Sequence, residues 1–369
     1  MGHSAKAEGL FFMPILWDAL GIYAQKRAGI MVSRLQQACR MARLEADFRF
    51  YIGPELSVSS NAGRTNDGFV FGGILFWTSA RRLALPGLRP NGCGVLLCDI
   101  GQNYEEAAFV ERIIRARKNR PKTWDYNGGN HFIAVYNSRG RYYGLIHGGT
   151  ARAKDPDNPR GSLYPEINRS LRLRMRRIAT PHGQVDLLLD EDAVAYCSRY
   201  QQIEALIKRN RENLGRQLWP ASRIIFHETH QGLRDAGTML LGAYLLSKES
   251  IRNGVPIMIG LGEPLLFCTQ GIELHRAPCV RSRWGPTSAM DENMIMIPHG
   301  SGDTNDAVRA VIPYEDHYAE AVLRNGGRAI LQGNVPTPDH RSQGSLLAYF
   351  RQYADASPRK LKHLLTCKI

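Results

Sequence analysis

Four apolar runs of strand length each deliver a metal-competent side chain beside a glycine or another polar residue. They are "LLCDIGQNY" with Asp99, "GGNHFIAV" with His131, "GLIHGGTAR" with His147, and "IIFHETHQG" with His227 and His230. Apolar runs this short, bounded by glycine and polar residues, read as buried strands rather than helices. A chain built on them needs a sheet, and that sheet brings imidazoles and carboxylates to its strand ends. "NHFIAVYNSRGRYYGLIHGG" goes further and predicts a hairpin, with two strands around a turn at Ser138–Gly140. His131 and His147 would then sit on its two arms.

Helical spacing lies elsewhere. Met31, Leu35, Ala38, Cys39 and Ala42 share one helical face, followed by a strand-like run toward "FYIGPEL". "NYEEAAFVERIIRARKNRPK" predicts an amphipathic helix with a basic polar face, 190–215 a second helix, and 345–355 a closing one. Strands and helices mix without the regular βαβ alternation of a doubly wound fold. The expected fold is therefore α+β: one large domain over 55–369, with mixed sheets around a central metal cleft. Residues 1–54 are expected to form a helix-and-strand segment packed on that core. In "LRLRMRR", Arg172, Arg174 and Arg176 alternate with Leu171, Leu173 and Met175, the period of a half-buried strand with one basic face.

The net charge of +14 favours a polyanionic partner, either RNA or a phosphorylated small molecule. The seven cysteines are scattered without a CxxC pair, which indicates neither a zinc ribbon nor a disulfide framework. The one apolar patch near the N-terminus is too brief and interrupted for a membrane span. A reduced, cytoplasmic protein is expected, and its oligomeric state is left open.

One carboxylate and three imidazoles at strand ends suit a divalent ion such as manganese or zinc. In order and wording, these segments resemble the RtcB family, the manganese- and GTP-dependent ligases that join RNA ends. That family carries a Gly-rich apolar passage before a D-x-x-C-G metal motif. Here "DGFVFGGILFW" precedes "CDIGQN", which puts Asp99 on the metal-bridging aspartate and Gln102 in the cysteine's place. The family's G-N-H-F is matched by Gly129, Asn130, His131 and Phe132, and its H-S-G-S-R by "HGGTAR" with His147 and Arg152. Its H-N step is matched by His230-Gln231, with His227-Glu228 as the other register. Its H-R-K-G-A and P-G-S-M-G pair is similar to "LHRAPC" followed by "IPHGSGDT", and its terminal V-K-G to "TCKI" with Lys368.

The resemblance implies Asp99, Gln102, His131, His147 and His230 as metal ligands, with manganese, or zinc, as the ion. It implies GTP as nucleotide, held by Asn130, Gln231, Ser301, Arg324 and Lys368. The family's guanylylated histidine falls in "LRNGGRAIL", where Arg324 stands instead. A guanidinium stays protonated and cannot attack phosphorus, but it can grip phosphate as a charged fork. His299, beside the Gly-Ser loop, is the substitute candidate for nucleophile or general acid. The expected function is thus metal-dependent ligation or phosphoryl or nucleotidyl transfer on RNA ends or another phosphorylated substrate. The alternatives are a non-catalytic RNA-binding pseudoligase, a biosynthetic enzyme that does not use GTP, and a structural metal site.

Overall fold

The protein is described by a computed structural model covering residues 18–58, 64, 67–121, 124–126, 131–154, 158–260, 262–282, 293–300, 303–304, 308–313, 319–323, 328–331, 339–340, 342–354 and 358–368. Its fold is mixed α+β, dominated by one twelve-stranded sheet. The strands, in chain order, are β1 (Ala46–Val58), β2 (Val70–Ser79), β3 (Cys93–Gly101), β4 (Trp124–Asp125), β5 (Phe132–Ser138) and β6 (Arg141–Thr150). The chain then adds β7 (Arg223–Asp235), β8 (Thr238–Leu241), β9 (Val255–Met258), β10 (Leu265–Cys268), β11 (Cys279–Arg281) and β12 (Arg359–Cys367). They lie in the order β9-β10-β12-β5-β6-β3-β7-β8-β2-β1-β11, with β4 paired to β6. Every pairing between these strands is antiparallel.

The predicted hairpin forms as β5 and β6, with Ser138 opposite Arg141. Its two turn residues, Arg139 and Gly140, have φ of 54° and 76°. Positive φ at both positions matches the twist of a tight antiparallel hairpin, and glycine adopts it without steric cost.

The helices are α1 (Ala19–Met41), α2 (Glu106–Lys118), α3 (Arg169–Arg174), α4 (Asp190–Leu218) and α5 (Gln343–Tyr353). Asp18 caps α1 by accepting the Gly21 amide at 2.8 Å, and the helix buries Met31, Leu35, Ala38 and Cys39 as its spacing requires. α1 packs into one core with β1 and β2, and position 54 falls in the middle of β1 rather than at a boundary. α2 and α4 cover one face of the central strands, packing Phe109, Ile113, Leu214 and Leu218 against Leu96, Cys98 and Ile146. The opposite face carries Val95, Leu97, Leu145 and Phe226 against Tyr244, Ile297 and Phe350.

The basic stretch is helical over 171–174 rather than extended, and a strand begins only at Arg176. Asn168 accepts the Leu171 amide at 3.0 Å and starts α3. Helical rotation then buries Leu171 and leaves Leu173 76% exposed, where alternation would have buried both. Among the described residues, no helix is long and apolar enough to cross a membrane.

Candidate metal centre

β3, β6 and β7 are adjacent and antiparallel, and their register converges on one point. His147 on β6 lies opposite Val95 of β3, two residues from Cys93 and therefore on the same face. On β7, Thr229 lies opposite Gly94 and Gln231 opposite Cys93, so His230 is the extra residue of a β-bulge. A bulge breaks the ladder and re-aims the side chain it carries. With Glu228 opposite Val95, alternation puts His230 on the face of Cys93.

The result is a buried cluster in which Cys93, His147 and His230 bring their donor atoms within 4.8 Å of one another. Cys93 Sγ is 3.2 Å from His147 Nε2, and His147 Nε2 is 3.4 Å from His230 Nε2. His131 Nε2 approaches the same sulfur at 3.1 Å. All four residues are under a tenth exposed. A tetrahedral ion with ligand bonds of about 2.0–2.3 Å holds its donors roughly 3.3–3.8 Å apart. The cluster lies near that spacing, so the described residues can hold a metal ion with little rearrangement.

Electrostatics prepare the donors. Burial alone would raise the Cys93 thiol, but His147, His131 and His230 together hold it well below its ordinary range. Burial pushes His147 and His230 below the ordinary imidazole range. His131 is pushed up to about 10: burial opposes charging, but the Cys93 thiolate and Asp125 outweigh it. Asp125 lies 3.2 Å from His131 Nδ1. A carboxylate on the outer nitrogen of a histidine whose inner nitrogen faces the centre is the arrangement that orients metal ligands.

His299 borders the cluster. Its ring lies over His230 with centroids 4.2 Å apart, and its Nδ1 is held by Glu55 and by the Gly242 carbonyl at 2.6 Å. The Glu55 carboxylate raises His299 against the effect of burial.

The structure brings together His131, His147 and His230 of the expected ligands and excludes two others. Asp99 sits at the far end of β3, six residues and roughly 20 Å of extended strand from Cys93. Its carboxylate is gripped by Arg141 at 2.6–3.0 Å, with Arg223 at 3.8 Å. Gln102 follows the end of β3 and is exposed. Between the two histidine registers, His230 faces the cluster and His227 the opposite side, where Arg211 donates to its Nε2 at 3.2 Å. Residues three apart on a strand face opposite ways, so one register excludes the other. Gln231 is buried with its amide against the Arg64 guanidinium. Lys368 follows β12, whose Cys367 lies opposite Ile133, so it emerges at the sheet end that carries His131. Asn130, Ser301 and Arg324 lie outside the described residues, as does the side chain of Arg152.

Cys93 is the member of the candidate cluster that sequence reasoning missed. The absence of CxxC spacing spoke against a cysteine metal site, and "CDIGQN" drew the metal motif to the wrong end of β3. The better signal is "NGCG", where a cysteine between glycines opens the strand. All seven cysteines are free thiols. No protein-family model matches the chain, and no curated protein matches it.

Proposed function

We propose that this chain is a metal-dependent enzyme that works on RNA ends or another phosphorylated substrate, with its ion held by Cys93, His147 and His230 and its fourth position open to substrate. The buried convergence of a thiolate and imidazoles carries the reading. The donor set fits zinc or a similar borderline ion better than manganese, which prefers the oxygen ligands that Asp99 does not supply here. A bound ion would act as a Lewis acid on a phosphoryl oxygen. The net charge of +14 supports a polyanionic substrate, and the resemblance to RtcB ligases supports RNA ends and GTP. His299, fixed by Glu55 beside the cluster, is the residue to carry a proton or a nucleotidyl group.

The test measures metal per chain in the purified protein, then intact mass after incubation with GTP and manganese. A GMP adduct that disappears in His299→Ala supports ligase chemistry. Metal without an adduct directs the reading to hydrolysis or transfer on another phosphorylated substrate. No stoichiometric metal sinks it.

A second reading, a purely structural ion, is favoured by burial: Cys93, His147 and His230 are each no more than 3% exposed, as in closed structural sites. Chelation that lowers stability without altering any phosphoryl reaction would select it.

A further inference from the structure

We propose that Arg211 is the positioning residue of this centre: one buried guanidinium, across the sheet from the ligands, that holds all three ligand-bearing strands in register. The inference rests on the metal reading above. Arg211 lies on α4 and is fully buried. Its Nη1 donates to the carbonyl of Gly92 at 3.1 Å and to that of Gly148 at 2.9 Å. Gly92 immediately precedes Cys93, and Gly148 immediately follows His147. Its Nε donates to His227 Nε2 at 3.2 Å, on the strand that carries His230. One planar group therefore bonds to β6, β7 and the residue that leads into β3, each within three residues of its ligand.

The geometry needs arginine. A guanidinium presents donors in a rigid fork, whereas a lysine ammonium is a point charge on a flexible stem. Burying a cation is unfavourable unless its donors are met, and here acceptors from three neighbouring segments meet three of its five N–H groups. The remaining nitrogen, Nη2, has no hydrogen-bond partner among the described residues and lies 2.9 Å from where a Cβ on Gly94 would stand. The guanidinium is thus packed directly against the β3 backbone beside Cys93. Filling the helix–sheet interface would not require this: Leu214 and Leu218 of the same helix already do so.

Cobalt(II) tests the assignment, because its absorption reports both thiolate ligation and coordination geometry. The full chain is titrated with cobalt as wild type and as Arg211→Lys, Arg211→Met and Leu214→Ala, with thermal stability measured in parallel. Losing an outer-shell support commonly weakens metal binding 10- to 100-fold. Both Arg211 variants should bind cobalt at least about ten-fold more weakly, with altered visible bands, and lysine should not rescue them. Leu214→Ala loosens the same interface without touching the fork. It should melt earlier yet keep wild-type affinity and spectrum. If Arg211→Met does not fold, Arg211→Lys carries the reading. Wild-type affinity and bands in Arg211→Lys, or equal weakening in Leu214→Ala, would overturn the positioning role and leave the metal reading intact. A wild-type chain that binds no cobalt would overturn both.

Discussion

At the residue scale, the centre separates side chains that look alike on paper. Cys93 and Asp99 sit on one strand, but only Cys93 reaches the histidines. Cys93→Ala should therefore lose stoichiometric metal by elemental analysis, while Asp99→Ala keeps it. The aspartate variant gives up the Arg141 pair and the Gly101 amide bond, neither of which touches the cluster. Gly94 makes a sharper demand. A Cβ there would stand 2.4 Å from the Glu228 carbonyl oxygen and 2.8 Å from Thr229 Cα, both of them backbone that cannot yield cheaply. Gly94→Ala should cost about 3 kcal/mol or more in denaturant unfolding, since it forces β3 and β7 apart at the metal centre. A variant as stable as wild type would show that these strands are less tightly paired than described.

At the element scale, α4 meets β7 through His227. Arg211 donates to its Nε2, which must therefore carry the lone pair, and Glu212 lies 3.2 Å from Nδ1. Burial first, then Arg211 and Lys208, hold the imidazole down to about 3, against an ordinary value of 6.5. Glu212 pulls the other way but is over a third exposed and weakly felt. The sign follows from proton uptake. Between pH 6.5 and 3 the unfolded chain binds a proton on His227 that the folded chain refuses, so stability falls as pH falls through that window. The loss should approach about 1.4 kcal/mol per pH unit below the unfolded value. His227→Gln keeps an acceptor for Arg211 and removes the titration, so its unfolding free energy should fall less steeply in acid. Parallel pH curves for the two proteins would show that His227 accepts its proton in the folded state. The hairpin of β5 and β6 and the helices α1, α2, α4 and α5 were legible because their periodicity is local. The basic stretch over 171–174 was not, because Asn168 capping α3 overrode an alternating, strand-like pattern.

At the scale of the whole molecule, the candidate ion would join β3, β6 and β7 near the middle of the twelve-stranded sheet. Holding it should stabilise the entire cooperative unit. A ligand that binds only the folded state adds about 2.7 kcal/mol at one hundred times its dissociation constant. Removing the metal with a chelator should lower the melting temperature of the wild type, while Cys93→Ala should melt at one temperature with or without chelator. Equal shifts in both proteins would place the chelator's effect elsewhere.

By itself the sequence determined the α+β class, most helices, the central hairpin and the histidines worth weighing, because these follow from side-chain type and from periods of two or 3.6 residues along the chain. Only the tertiary structure decided which of them meet. Alternation along β7 put His230 and not His227 on the face of Cys93, strand register set Cys93 beside His147 and His230, and the length of β3 carried Asp99 away to Arg141. Register and bulges depend on which strands become neighbours, and that is settled by burying both faces of the sheet at once rather than by any one segment.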